Sequence, residues 1–200
     1  MMSDSSRAIT ACLEQASQVH AQLAKTQLEP IRRAAETMTT AIESGHKIIW
    51  FGNGGSATQS QHMAAELVGR FAKERRALPS ISLTENMASV TAIANDYQYD
   101  LIFVRQLEGL ARPGDVAIGL STSGASRNVV NALRRARELG VFTIGLTGGA
   151  GGEKMQPVCD VCLVVPSPVT ARIQEAHLTV GHILCGLVEE AILSKVTSTV

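Results

Sequence analysis

Short apolar runs that end at glycine or hydroxyl residues, each followed by a helical pattern, constrain this chain more than any other feature. They occupy residues 47–51, 80–84, 115–120, 141–146 and 158–165. Helical spacing follows at 57–71, in pieces up to Leu110, at 126–139 before Gly140, and at 170–195. A glycine-rich stretch, 147–152, follows the fourth run. Runs with little polar alternation read as strands buried on both faces, and strand–helix alternation implies right-handed crossovers in a parallel sheet. The expected fold class is therefore α/β, with a parallel five-stranded sheet flanked by helices; the strand order stays open.

Two helices precede the first strand. Ile9, Cys12, Leu13, Ala16, Val19 and Leu23 repeat at helical spacing within 5–25, and a second pattern covers 28–44 and stops at Gly45. Such a start is unusual for a doubly wound sheet. One domain over 1–200 is expected, with 1–45 as helices for oligomer packing rather than part of the sheet layer and 46–196 as the α/β core.

Hydrophobic residues make up 45% and charged residues 18% of the 200-residue chain, enough for one globular core. Lys+Arg and Asp+Glu both total 18, so no global basic field would hold nucleic acid, and near-zero net charge tolerates self-association. The polar start of the chain has no signal-like apolar core, and no stretch is expected to span a membrane, which points to the cytoplasm. Cys12, Cys159, Cys162 and Cys185 suit that compartment as buried thiols. Cys159 and Cys162 form a C-x-x-C, but on one strand they would face opposite sides and make a poor chelate.

Two loops carry chemistry. Residues 50–57 (WFGNGGSA) join a strand to a helix. Glycines allow close backbone approach, and the helix start offers free N–H groups and a positive dipole end for an anion. There is no Gly-Lys-Ser/Thr ending and no good G-x-G-x-x-G, so a P-loop or dinucleotide site is disfavoured. By itself the loop suits an anion or a plain tight turn. Residues 119–126 (GLSTSGAS) repeat the design. Ser126 is placed to cap the next helix, leaving Ser121, Thr122 and Ser123 surplus at a strand's carboxyl end, where a phosphate monoester would be held by hydrogen bonds.

His62 and Glu66 are four residues apart on the helix after the glycine loop, so they share a face. They suit two metal ligands, a base beside a proton shuttle, or a solvated ion pair. The last helix carries Gln174, His177 and His182 among apolar residues. Gln174 and His182 are two turns apart, about 12 Å along the axis and about 80° around it, so they converge only by leaning together.

Residues 119–126 with 52–57 resemble the sugar isomerase (SIS) domain family, in which the Ser/Thr loop holds the phosphate of a phosphosugar. Residues 62–70 (HMAAELVGR), 94–97 (ANDY), 121–124 (STSG) and 172–175 (RIQE) through His182 resemble its phosphoheptose isomerase branch. The resemblance spans nearly the whole chain. It implies a doubly wound, flavodoxin-like sheet with extra N-terminal helices. The activity it implies converts D-sedoheptulose 7-phosphate to D-glycero-D-manno-heptose 7-phosphate, the entry to ADP- or GDP-heptoses and the lipopolysaccharide core. It also implies one zinc per subunit and homotetramers with sites at subunit contacts. Carried over residue by residue, the metal positions are His62, Glu66, Gln174 and His182, and the catalytic ones are Glu66 and His182. The substrate positions are Asn53, Gly54, Gly55, Ser56, Glu66, Asn95, Asp96, Ser121, Thr122, Ser123, Ser126 and Gln174. Ala171 stands where some members of the branch have an acidic residue, so that carboxylate's secondary role is missing here. The alternative is a non-enzymatic SIS adaptor that binds the replication initiator protein. That branch lacks the carboxylate and second histidine that this chain keeps as Glu66 and His182. A phosphosugar-sensing regulator would need a DNA-binding domain for which 200 residues leave no room.

Overall fold

The computed structural model describes residues 4–197. Helices α1 (Asp4–Thr26) and α2 (Leu28–Glu43) lead into β1 (Ile48–Gly52) and α3 (Gly55–Val68). Then come β2 (Ser80–Ser82), α4 (Met87–Asp96), α5 (Val104–Leu110), β3 (Val116–Ser121) and α6 (Arg127–Glu138). The chain continues through β4 (Phe142–Gly148), the single turn α7 (Gly152–Met155), β5 (Val161–Val165) and α8 (Thr170–Thr197).

All neighbouring strands pair in parallel, in the order β2-β1-β3-β4-β5. This is the flavodoxin-like doubly wound order. Residues of β1 and β3 are buried throughout and alternate between two cores. Ile48 and Trp50 join α2, α3 and α8 on one face; Ile49 and Phe51 join α5 and α6 on the other. At roughly 25 cal/mol per Å² of apolar area removed from water, these two layers supply most of the drive to fold.

Several expectations change. Helix α2 does not stand outside the sheet layer: Ile31, Ala34, Met38 and Ile42 are buried in the first core, because its apolar face matches the groove beside α8. Helix α1 buries only Val19 and Leu23, while Ile9 and Leu13 remain 61% and 68% exposed. Cys12 lies on that open helix and is exposed, not buried. Helix α3 ends at Val68 rather than Phe71, where the chain turns into an irregular loop. Strand β5 begins only at Val161. Cys159 therefore precedes the strand, and both it and Cys162 pack on the second core's face, facing each other rather than opposite ways. Their mutual hydrogen bond, reinforced by burial, pushes the Cys159 thiol up; the same bond lowers that of Cys162, against burial.

Residues 170–195 do have the length and mean hydropathy, 1.3, of a membrane span, against the sequence expectation. Here they form a core helix, with Ile173, Ala176, Val180, Leu184 and Val188 buried.

Candidate active site

The strand order reverses direction between β1 and β3, and their carboxyl ends open the crevice where such sheets bind ligands. Both chemistry-bearing loops lie there. In the first, Gly54 takes φ +56°, a left-handed turn that an L side chain resists, and no side chain caps α3, whose Ser56 and Ala57 N–H groups bond back to the Asn53 and Gly54 carbonyls at 3.0 and 2.9 Å. In the second, Ser126 does not cap α6 with its side chain as expected. Its hydroxyl pairs instead with Ser121 at 2.9 Å, so hydroxyls and helix N–H groups both remain for an anion. Ser123 accepts from the Ala125 N–H and is exposed, and Thr122 is half-buried.

The two loops are bolted together by a residue that the sequence did not single out. Asn53 Nδ2 donates to Asn128 Oδ1 at 2.9 Å, and Asn128 Nδ2 donates back to Asn53 Oδ1 at 2.8 Å. Tyr99 adds its hydroxyl to Asn53 Oδ1 at 3.0 Å. An Asn buried in a helix's first turn was the available signal for Asn128, but its partner is 75 residues away. Beside this bridge lies a cavity of about 150 Å³ whose walls include Asn53, Gln61, Thr84, Met87 and Tyr99.

The second half of the site lies between α3 and α8. Gly181 lets these helices meet: a Cβ there would stand 2.3 Å from Met63 Sδ. The close approach brings His182 to the His62–Glu66 face of α3. His62 Nε2 and His182 Nε2 are 3.0 Å apart, and Glu66 Oε1 is 3.3 Å from His62 Nε2. The rings stand edge to face with centroids 5.2 Å apart. Among the described residues, these three offer ligand atoms all within 4.8 Å of one another. Ligands about 2.0–2.1 Å from a tetrahedral zinc lie about 3.3 Å from each other, so this donor set fits such an ion. Gln174 packs its amide over Gly55, where a Cβ would meet Nε2 at 2.6 Å, and its backbone carbonyl accepts from Gln59 Nε2 at 2.7 Å. It thus stands between the glycine loop and α8.

Not every expected residue is drawn into this crevice. Asn95 and Asp96 end α4, are exposed, and hydrogen-bond each other at 2.8 Å. Helix α4 buries no residue at all, and Met87 and Tyr97 are 62% and 54% exposed. Ala171 is exposed at the start of α8. His177 is buried beneath the site with both ring nitrogens unpaired.

The profile of the SIS domain family matches residues 12–148. The chain is 54% identical to the phosphoheptose isomerase of Rhodospirillum rubrum over 164 residues, which is 82% of this chain and 87% of that protein. Among solved structures it resembles a phosphoheptose isomerase from Neisseria gonorrhoeae, with 38% identity and a TM-score of 0.86, over 92% of this chain and 98% of that one. A phosphoheptose isomerase from Francisella tularensis superposes with a TM-score of 0.89 at 35% identity, over 94% of this chain and 100% of that one.

Proposed function

The chain belongs to the SIS domain family, among its phosphoheptose isomerases, and on that premise we propose that it interconverts D-sedoheptulose 7-phosphate and D-glycero-D-manno-heptose 7-phosphate. The observation that carries this reading is the meeting of His62, Glu66 and His182 beside two anion-ready loops at one crevice. The substrate's phosphate fits the Ser121, Thr122, Ser123 and Ser126 loop, a cradle of hydroxyls without Lys or Arg, and the N–H groups at the start of α6, whose first residue, Arg127, pairs with Asp100 at 2.9 Å. Asn53, Gly54, Gly55 and Ser56 line the route for the sugar chain, and anchoring the far end supplies binding energy for orientation.

Aldose–ketose isomerisation needs a base at carbon and an acid–base partner at oxygen. Glu66 takes the C1 proton and returns it at C2. His182 gives a proton to the C2 carbonyl oxygen and takes one from the C1 hydroxyl, so the enediol forms and collapses with protons balanced. His62, Glu66, Gln174 and His182 would hold one zinc per subunit, which when bound polarises the carbonyl and adjacent hydroxyl. A carboxylate that is also a ligand is a poorer base, so rate and metal content must be read together.

The exposed face of α4, with Asn95 and Asp96, and the apolar Ile183 and Leu187 beside His182 support a homotetramer whose partner subunits close the site. Such a chain would act in the cytoplasm at the first step of ADP- or GDP-heptose and lipopolysaccharide-core synthesis. The initiator-binding adaptor reading is not favoured, because Glu66 and His182 meet in one cluster that a passive adaptor would not need. The deciding experiment is an assay of purified protein on sedoheptulose 7-phosphate with and without chelator, beside Glu66→Gln. The parent should isomerise it, and Glu66→Gln should lose about 10²–10⁴-fold in rate. Retained zinc in that variant marks proton transfer; joint loss marks ligation. A zinc-loaded parent that leaves this substrate unchanged refutes the proposal.

A further inference from the structure

The loop that follows α3 is held by buried charges that the isomerase reading does not use. Glu189 on α8 and Arg75 in the loop have side chains only 2% and 1% exposed and stand 3.1 Å apart. Glu189 accepts three backbone N–H groups of the loop: Phe71 at 3.0 Å, Ala72 at 2.9 Å and Lys73 at 2.7 Å. Burial alone would raise the Glu189 pKa, but these bonds and the Arg75 charge outweigh it and hold the group below its ordinary value. Arg75 in turn donates to the carbonyls of Glu66 at 2.8 Å, Leu67 at 2.9 Å and Gly69 at 3.0 Å. One end of the clamp therefore grips the last turn of α3 at Glu66, and the other end grips α8 two turns beyond His182.

The clamp fixes where Phe71 stands. Its ring lies 5.5 Å from the His182 ring, tilted 35°, while the His62 ring meets the same imidazole edge to face at 5.2 Å. The χ2 torsion of a histidine is broad, so a ring is aimed only by what it touches. His182 touches His62 and Phe71, and His62 is itself half-exposed. We infer that Glu189 and Phe71 are positioning residues: Glu189 folds the 69–77 loop back so that Phe71 aims the His182 ring at Glu66 and His62. Desolvating three backbone groups and an ion pair is expensive, and packing that orients a ligand tunes a metal site as its hydrogen-bond partners do.

This inference rests on the cluster's proposed role and can be separated from it. The test uses the full chain with Phe71→Ala, Phe71→Tyr and Glu189→Gln. Zinc affinity is measured by competition with a chromophoric chelator, kcat and KM on sedoheptulose 7-phosphate, and Tm on the metal-free chain. Phe71→Ala should lose about 10-fold or more in zinc affinity and a similar factor in kcat. Its KM should stay within about threefold, since the phosphate loop is untouched. Phe71→Tyr, which keeps the ring, should behave as the parent. Glu189→Gln should follow Phe71→Ala; if it fails to fold, the Phe71 pair decides. The inference is overturned if Phe71→Ala matches the parent, if Phe71→Tyr loses as much as Phe71→Ala, or if zinc is lost only with a collapse of the metal-free Tm. A parent that binds zinc but leaves the substrate unchanged refutes the isomerase reading alone, with the zinc measurements still deciding the role of Phe71. A parent that binds no zinc overturns the inference about Phe71, and the substrate assay then decides the isomerase reading by itself.

Discussion

His177 should make this protein acid-labile, and its contribution can be worked out. The side chain is 2% exposed beneath the sheet's carboxyl end, and neither ring nitrogen makes a hydrogen bond of ordinary geometry. Burial lowers its pKa from 6.5 to about 4, and the backbone of Thr147 offsets this only in part. A histidine with a depressed folded pKa is fully compatible with the fold while neutral, above pH 6.5. As pH falls towards 4, the unfolded chain binds a proton that the folded chain refuses, so stability is lost across that window. A shift of this size is worth about 3 kcal/mol at pH 4. The perturbation is His177→Met, which fills the space without a titrating group. Urea denaturation of chelator-treated protein, at fixed protein concentration, should show the parent losing about 3 kcal/mol more than the variant between pH 7.5 and pH 4. At pH 7.5 the variant should match or exceed the parent, because two unpaired buried nitrogens are gone. Carboxylates such as Glu189 titrate in both proteins and cancel in the difference. Parallel pH profiles would refute the argument.

Replacing Ser121 and Ser123 by Ala should raise KM for the phosphosugar by about 1.5–3 kcal/mol per lost hydroxyl while the far-UV circular dichroism stays unchanged; an unaltered KM would remove the loop from the site. Light scattering at micromolar concentration should report a tetramer, since α1, α4 and α8 leave Ile9, Leu13, Met87, Ile183 and Leu187 uncovered. A monomer there would defeat the proposed closure of the site by partner subunits.

Much of this architecture was legible in the sequence because it depends on local chemistry. Buried runs such as residues 47–51 and 115–120 read as strands through their continuous apolar character. The glycine and hydroxyl loops stand at their carboxyl ends because tight turns and helix starts demand those residues. His62 and Glu66 share a face by helical period alone. What the sequence could not decide was distance between elements. That Gly181 allows α8 to approach Met63, and so carries His182 to within 3.0 Å of His62, depends on two helices 120 residues apart. Asn53 and Asn128, or Glu189 and the backbone of the 69–77 loop, are likewise ordinary polar groups until the fold brings them together. The end of α3 differs from its sequence pattern for the same reason: helical spacing runs on through Phe71, but the buried Glu189 carboxylate of α8 claims the backbone N–H of that residue. Such long-range pairings leave no periodic trace, since packing of the whole domain, and not local propensity, makes them favourable.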